Sequence, residues 1–348
     1  MMPVIRVLIV EDSVTQREIF RRLFSEDGQF TVVAEAATGH EAILMVQKHM
    51  PDVVLMDIHM PDMDGITATR EIMRRFPVPI VVASSTLRKH EVDLAMTAFE
   101  AGAVSVMEKP QGAVLLNLHR IAPLLRDELI AATKAKLRLP LRNAAKRTSE
   151  PVARSTTNRS AWKVVGICAS TGGPPVLLEI LSGIPKPYPL PILLVQHISH
   201  GFEEGFARWL SSSTGQTVSL AADGQRLSPG VWMCEGGRHL TLAEGNRIEL
   251  PLGGAGDLHS PSGNPLFESL AKSAGSTAVG ILLTGMGSDG ASGLLTLKRA
   301  GGTTMIQNEA TCLIWGMPRA ARENGAALHE LSPAEIAASL ASFSLTPR

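Results

Sequence analysis

Short apolar runs alternate with amphipathic segments along the first 127 residues. The runs have the length and aliphatic character of buried strands: VIRVLIV, FTVVAEA, DVVLMD, PIVVASS and AVSVMEK. Segments such as VTQREIFRRLF and ITATREIMRRF carry apolar residues at helical spacing. Parallel neighbouring strands need helical crossovers. Five strands and five helices in alternation therefore predict an α/β fold with a doubly wound, flavodoxin-like, five-stranded parallel sheet.

The pattern changes near residue 128 and returns near residue 163. Residues 130–163 carry nine basic residues and Glu150 as the single acidic one, which is typical of a solvated tether. Contact with an acidic partner is the alternative interpretation. Beyond this stretch, runs such as VVGICAS, PILLVQH and AVGILLTG again alternate with helical patterns, and LSPAEIAASLASF begins with a capping box. We predict domains at 1–127 and 163–348, joined by a basic linker at 128–162, the second domain also doubly wound with a mostly parallel sheet.

Length and charge narrow the class of protein. The 348 residues are enough for about two domains. The 33 basic residues balance the 33 acidic ones, so no global field favours nucleic acid or a membrane surface as a partner. Three widely spaced cysteines fit a reducing cytosol, and no apolar run is long enough to insert into a membrane. We expect a cytoplasmic protein with no nucleic-acid partner and no direct membrane insertion.

Polar and charged side chains stand at the predicted carboxyl ends of the first domain's strands. They are Glu11 and Asp12 after the first strand, Asp57 after the third, Ser84 and Ser85 after the fourth, and Lys109 after the fifth. Any one of them could be a helix cap, but the set lies in register with one sheet edge. Three converging carboxylates suit Mg²⁺, and a lysine with a hydroxyl suits a phosphoryl group on a carboxylate. The pattern predicts a phospho-aspartate switch.

These residues, with the D-x-x-M-P-x-M-D-G run from Asp57 to Gly65, make residues 1–127 resemble a response-regulator receiver domain. The resemblance implies that Asp57 accepts the phosphoryl group from a histidine kinase. It implies that Glu11, Asp12 and Asp57 hold Mg²⁺. It also implies that Ser84 is the switch hydroxyl, with Ser85 as the looser choice, and that Lys109 contacts the phosphoryl group.

A second set of reactive side chains follows strands of the second domain. VVGICAS ends at Ser170 and passes into TGGPP, a sharp turn that can open a helix. Such a turn lifts a serine clear of the sheet and directs backbone N–H groups at its target. The next strand ends at His197, and AVGILLTGMGSDG brings Asp289 to the end of a later strand. The order serine, histidine, aspartate predicts a catalytic triad, whereas helix capping is the ordinary interpretation of Ser170 alone.

Two other chemistries compete for these strand ends. Gly285, Gly287 and Gly290 match G-x-G-x-x-G, and Glu309 follows about 20 residues later, as in a dinucleotide site. A nicotinamide enzyme does not need Ser170 and a histidine at neighbouring strand ends, so hydrolysis is favoured. Cys168 is a rival nucleophile, but its position inside the strand favours packing.

The second domain resembles the catalytic domain of chemotaxis protein-glutamate methylesterases of the CheB type. The matching motifs are A-S-T-G-G, Q-H at 196–197, P-G at 229–230, G-G-R-H-L from Gly236, L-T-G-M-G-S-D-G from Leu283 and G-M-P at 316–318. The resemblance implies hydrolysis of glutamate methyl esters on the cytoplasmic domains of methylated chemoreceptors, and in many members deamidation of receptor glutamines. It implies Ser170 as nucleophile, His197 as base and Asp289 as orienter. Thr171 and Met286 then lie near the oxyanion, and the esterase reaction needs no cofactor.

The sequence departs from that family in three places, the first being CEGG from Cys234 where A-P-G-G is expected. Where H-R-P-S-V-D-V-L-F is expected, the chain reads HSPSGNPLF from His259, losing an arginine and an aspartate. Where Q-D-E-A-S is expected, it reads QNEAT from Gln307. The reaction type is unaffected, whereas the choice of receptor is in doubt.

Regulation follows from joining the two sites. We expect the unphosphorylated receiver to pack over the triad edge and phosphorylation of Asp57 to open it. A non-enzymatic response regulator is the alternative, but no helix-turn-helix pattern supports it, and residues 164–348 carry a negative net charge.

Overall fold

The computed structural model describes residues 4–25, 28–84, 89–109, 114–137, 163–254 and 256–344. Ser85 and residues 138–162, most of the predicted linker, lie outside these ranges. No helix in the described ranges is long and apolar enough to cross a membrane.

The N-terminal unit is the predicted five-stranded parallel sheet, and its strands follow the order β2-β1-β3-β4-β5. Its strands are β1 (Ile5–Val10), β2 (Phe30–Ala36), β3 (Val53–Asp57), β4 (Ile80–Ser84) and β5 (Ser105–Glu108). Its helices are α1 (Val14–Ser25), α2 (Gly39–His49), α3 (Gly65–Arg75), α4 (Lys89–Ala101) and α5 (Val114–Thr133). Strands β3 and β4 are buried along their whole length, which is why their sequences are continuous aliphatic runs.

Helix α5 runs past residue 127, where we placed the end of the first domain. Leu125, Leu129 and Ala132 recur at helical spacing and are buried, so the helix continues in register with its apolar face. The predicted boundary therefore falls inside a helix. The described chain then continues to Leu137, which packs against the core of the N-terminal unit.

The C-terminal unit is built on a seven-stranded sheet in the order β14-β13-β12-β6-β7-β9-β8, with every neighbouring pair parallel. The strands are β6 (Val164–Ala169), β7 (Pro191–Gln196), β8 (Val218–Leu220), β9 (Gly230–Met233), β12 (Ala278–Leu282), β13 (Thr303–Gln307) and β14 (His329–Leu331). A separate antiparallel hairpin pairs β10 (Thr241–Ala243) with β11 (Arg247–Glu249).

Helices cover both faces of this sheet. They are α6 (Gly173–Ser182), α7 (Glu203–Thr214), α8 (Gly263–Ser273), α9 (Ala291–Arg299), α10 (Met317–Glu323) and α11 (Pro333–Ser344). The predicted capping box before α11 is present, because Glu335 N donates to Ser332 Oγ and Ser332 N donates to the Glu335 carboxylate. Strands β12, β6 and β7 are neighbours, so their carboxyl ends meet at one place.

The two units touch through α4 and α7. The rings of Phe99 and Trp209 lie 6.1 Å apart, and Trp209 Nε1 donates to Glu100 Oε1 at 3.0 Å. Beyond α5, Lys136 N donates to Leu313 O at 2.8 Å. Leu313 lies against Gly172, just after β6. The N-terminal unit therefore packs on the C-terminal unit near the carboxyl ends of the seven-stranded sheet.

Candidate active site and phospho-acceptor site

The structure brings the predicted acidic residues of the first unit together around Lys109. Its Nζ lies 2.6 Å from Glu11 Oε2 and 2.6 Å from Asp57 Oδ1, and all three side chains are almost completely buried. One oxygen each from Glu11, Asp12 and Asp57 lies within 4.8 Å of the others. Three carboxylate oxygens this close together form a donor set that fits a hard divalent cation such as Mg²⁺.

Charge crowding is visible at this edge. Burial raises the pKa of Glu11, and the neighbouring charge of Asp57 raises it further, against the opposing effect of Lys109. The hydroxyl of Ser84 is buried and has no hydrogen-bond partner among the described residues. A cleft of about 330 Å³ lined by Glu11, Asp57 and Lys109 opens beside them. An uncommitted donor, a lysine and three carboxylates fit a phosphoryl group held with Mg²⁺.

The predicted nucleophile stands in the turn between β6 and α6. Ser170 is half-buried. Its N–H donates at 3.0 Å to the carbonyl oxygen of Thr284, which lies just after β12. Gly172 has φ +79°, and a Cβ there would lie 2.7 Å from the side chain of Leu313. Only glycine therefore allows the chain to turn this sharply. The turn holds Ser170 above the end of the sheet.

His197 begins the loop after the neighbouring strand β7, and its N–H donates to Ala169 O at 3.0 Å. This bond places it beside the turn that carries Ser170. Its Nε2 lies 2.9 Å from Asp289 Oδ2, and both side chains are largely buried. Its Nδ1 is buried with no hydrogen-bond partner in the described part of the chain. When Nε2 carries the ring proton and donates it to the Asp289 carboxylate, Nδ1 is the nitrogen left to accept a proton.

Asp289 accepts three hydrogen bonds from nitrogen and oxygen donors, besides a weak one from the Cys168 thiol. They come from His197 Nε2, from Ser262 Oγ at 2.5 Å and from Gly263 N at 2.7 Å. Burial raises the pKa of Asp289, but the bonds from His197, Ser262 and Gly263 outweigh it and hold the pKa well below its usual range. A permanently charged carboxylate in this position stabilises an imidazolium.

Cys168 is fully buried in β6, with Sγ 3.9 Å from Asp289 Oδ2. Burial, reinforced by the charge of Asp289, raises the pKa of its thiol well above the ordinary value. A thiol that stays protonated is a poor nucleophile. The structure therefore favours the packing role for Cys168.

The glycine-rich turn after β12 closes around the serine. A Cβ on Gly285 would lie 2.6 Å from Ser170 Cβ and 2.3 Å from Met317 Sδ. The missing side chain thus makes room for Ser170, and it places the half-buried Met286 at the same edge. Glu309, the acidic residue that a dinucleotide site would use, is paired with Lys136 at 3.0 Å. Gly285 therefore makes room for the serine, and Glu309 lies in an exposed ion pair; both contacts fit the hydrolase interpretation better than the dinucleotide one.

Several residues at the site were not given a role by the sequence. The ring of His259 stacks on His197, with ring centres 4.3 Å apart. Gln196 Nε2 donates to both Ser170 O and His197 O, clamping the two loops. His259 and Gln196 stand in family motifs, so their positions were signalled, but the contacts that define their roles depend on the fold.

The sequence assigned Glu128 to the linker. In the structure it belongs to α5, and its side chain contacts the turn that carries Ser170. Thr171 Oγ1 donates to Glu128 Oε1 at 3.0 Å. Burial raises the pKa of Glu128, although hydrogen bonds from Ser105 and Thr171 act against this. A carboxylate from the receiver side thus contacts the residue next to the predicted nucleophile.

Comparisons with known proteins agree with this architecture. A family model for CheB methylesterase matches residues 165–340, and one for the response regulator receiver domain matches residues 7–119. Two relatives named protein-glutamate methylesterase/protein-glutamine glutaminase are 41% identical. The one from Anaeromyxobacter dehalogenans aligns over 97% of this chain and 98% of its own. The one from Geobacter metallireducens aligns over 98% of this chain and 99% of its own. The CheB methylesterase catalytic domain of Thermotoga maritima matches with TM-score 0.50 and 34% identity, covering 52% of this chain and 98% of that one.

Proposed function

Because the chain belongs to the CheB methylesterase family, we propose that it is a phosphorylation-regulated protein-glutamate methylesterase whose reaction is carried by Ser170, His197 and Asp289. The observation that supports these assignments most strongly is the buried pair of His197 and Asp289 beside the serine turn. The substrates are methylated glutamates on the cytoplasmic domains of chemoreceptors. Receptor glutamines are second substrates, since an amide is attacked by the same chemistry.

The reaction is acyl transfer in two steps. Ser170 Oγ attacks the ester carbonyl while its proton passes to His197 Nδ1, and Asp289 stabilises the imidazolium. The tetrahedral intermediate collapses when the bond to methoxide breaks, and His197 returns the proton so that methanol leaves. Water then gives a proton to His197 and attacks the acyl-serine, which releases glutamate and regenerates the hydroxyl of Ser170. No cofactor takes part in these steps.

The negative charge that develops on the carbonyl oxygen needs donors near Ser170. The backbone N–H groups of Thr171 and Met286 are proposed for this role, because Thr171 follows the nucleophile and Met286 follows the glycine that lies against it. Preorganised donors of this kind lower the barrier by about 3 kcal/mol each.

The receiver unit is proposed to accept a phosphoryl group from a histidine kinase on Asp57. Glu11, Asp12 and Asp57 would hold Mg²⁺, which supplies positive charge for the phosphoryl oxygens. Lys109 then leaves its contact with Asp57 Oδ1 to pair with the phosphoryl group, and Ser84 supplies its free hydroxyl. Ser84 and Lys109 stand at the carboxyl ends of β4 and β5, the strands that lead into α4 and α5, so these changes occur next to the two helices.

Regulation is proposed to act through the contacts between the units. In the arrangement described here, which we name the closed arrangement, Glu128 binds Thr171 and α4 packs on α7. Phosphorylation of Asp57 shifts the population towards an open arrangement in which a receptor helix reaches Ser170. We propose that the predicted domains 1–127 and 163–348 are the units that move, and that the rest of α5, to Thr133, moves with the first of them because its apolar face packs in that core. Substrate and kinase are both expected in the cytoplasm, with neither nucleic acid nor membrane insertion involved.

Methanol release from methylated receptor fragments tests this function. The wild-type protein with a small-molecule phosphodonor is expected to release methanol faster than without it, and Asp57→Asn is expected to lose the stimulation. Ser170→Ala is expected to release none. Demethylation by Ser170→Ala, or equal rates for Asp57→Asn and the phosphorylated wild type, would overturn the proposal.

A further inference from the structure

A second acid and imidazole pair lies behind the triad, in loops that the reaction does not use. His239, which is almost completely buried, has Nε2 2.9 Å from Asp257 Oδ2. Its other ring nitrogen, Nδ1, accepts the backbone N–H of Ser262 at 3.3 Å. Because Nδ1 accepts, the proton must sit on Nε2 and point to Asp257. The hydrogen bond from His239 also lowers the pKa of Asp257, which keeps the carboxylate charged.

Ser262 connects this pair to the triad. Its hydroxyl donates to Asp289 Oδ1 at 2.5 Å and accepts the N–H of Asn264 at 3.2 Å as the N-cap of α8. Its backbone is extended, so the N–H points to His239 while the side chain points to Asp289. The bonds run without a gap from Asp257 through His239 and Ser262 to Asp289. The neighbouring Gly263 N–H donates to the same carboxylate.

We propose that Asp257 and His239 form a positioning pair that orients Asp289 through Ser262. Asp289 Oδ2 accepts from His197 and from Gly263 N, whereas Oδ1 accepts from Ser262, so the direction of the Ser262 bond sets where Oδ1 lies and thereby helps to fix the plane of the carboxylate. His239 holds the backbone of Ser262 in the orientation that aims its hydroxyl. In this proposal Asp257, His239 and Ser262 do not contact the substrate. They affect the reaction by holding Asp289, which in turn orients His197. This inference rests on the proposed methylesterase function.

The inference predicts a change in the pH profile as well as in the rate. In Ser262→Ala, Asp289 loses a donor, so more of its negative charge remains to stabilise protonated His197. The acid limb of kcat/KM then moves to higher pH by about half a unit, which is about a threefold change in the protonation equilibrium. Misorientation lowers kcat by about tenfold, with KM almost unchanged. Asp127, Glu128, Cys168, His259 and Asp289 are the other ionisable groups facing this region in the described chain, and none is altered.

Variants at His239 separate positioning from simple packing. His239→Leu removes the acceptor for Ser262 N–H and is expected to shift the acid limb in the same direction by a smaller amount. His239→Asn keeps an acceptor where Nδ1 lies and is expected to restore the wild-type limb. In the double variant of Ser262→Ala and His239→Leu no further shift is expected, because no hydroxyl remains to be aimed. Asp257→Asn keeps an acceptor for Nε2–H and is the conservative variant, expected to preserve the wild-type limb. Glu244→Gln, at an exposed carboxylate after β10, is the surface control and should stay within about twofold of wild type.

The assay is methanol release by the full-length phosphorylated protein from pH 5 to 9, normalised to titratable serine. If Ser262→Ala and His239→Leu lower the rate equally at every pH and leave the acid limb in place, the residues only support folding and the inference is wrong. An additive shift in the double variant would also contradict it. If His239→Leu does not fold, Ser262→Ala and His239→Asn carry the test. A wild-type protein without esterase activity would instead refute the proposed function, so the two failures are distinguishable.

Discussion

Replacing Glu128 by alanine removes the acceptor that the hydroxyl of Thr171 uses in the closed arrangement. One hydrogen bond of this kind contributes about 1 kcal/mol net, because in the open arrangement water replaces it. At 25 °C that free energy is a factor of about five in the equilibrium between the two arrangements. If the closed arrangement dominates in the unphosphorylated protein, Glu128→Ala should release methanol about five times faster than the wild type when neither is phosphorylated. The phosphorylated variant should keep the wild-type rate, because the contact is absent once the units separate.

Two neighbouring variants make this prediction specific. Asp127→Ala removes an exposed carboxylate from the same helix and should leave the unphosphorylated rate within about twofold of wild type. Glu128→Gln keeps an oxygen that accepts from Thr171 and should stay close to wild type at neutral pH. Equal activation by Glu128→Ala and Asp127→Ala, or none by either, would refute a role for the bond in closing the site.

The pH dependence of the equilibrium between the closed and open arrangements follows from the direction in which the pKa of Glu128 is shifted. Burial raises the pKa of this carboxyl in the closed arrangement, so closing favours proton uptake. The closed arrangement is therefore most stable below the pKa of the exposed group, and it loses stability as pH rises through the raised value. The ratio of unphosphorylated to phosphorylated rates should increase with pH in the wild type and be flat in Glu128→Gln. Taking the ratio cancels every pH effect that the phosphorylated and unphosphorylated proteins share, and a flat wild-type ratio would contradict this reasoning.

Three further outcomes are expected. Gly285→Ala should abolish methanol release, because its Cβ would lie 2.6 Å from Ser170 Cβ; a variant of normal activity would show that this contact is not required. Cys168→Ala should retain activity, because burial raises the pKa of the thiol well above its usual value, and an inactive but folded variant would reinstate the cysteine as nucleophile. Asp12→Ala should abolish the Mg²⁺ dependence of Asp57 phosphorylation by a small phosphodonor, followed as the mass increase in mass spectrometry. An unchanged Mg²⁺ dependence would show that Asp12 is not part of the metal site.

Both parallel sheets were predictable because their strands are buried on both faces and so appear as aliphatic runs. The end of each run then marks a sheet edge, and Asp57, Lys109, Ser170 and His197 were chosen as candidate site residues because they stand at such ends. Parallel strands bring such ends together whatever their separation along the chain. This is why residues 27 positions apart, such as Ser170 and His197, could be paired without coordinates.

Other parts of the site could not be predicted from local pattern. His239 and Asp257 come from loops, and loops have no period that fixes which way a side chain points. Glu128 was hidden for a different reason. The helical spacing that carries α5 past residue 127 was present, but the basic charge beyond residue 130 favoured a tether. The contact with Thr171 depends on how two units pack, and sequence periodicity describes only elements within each unit.

Labelling of the nucleophile by a fluorophosphonate tests the central claim most directly, because it needs no receptor and reports both the residue and its access. Peptide mapping by mass spectrometry is expected to show a single adduct, on Ser170, which forms faster when Asp57 is phosphorylated and is absent in His197→Ala. An adduct on Cys168 or another residue, or equal labelling rates with and without phosphorylation, would contradict a serine site controlled by the receiver.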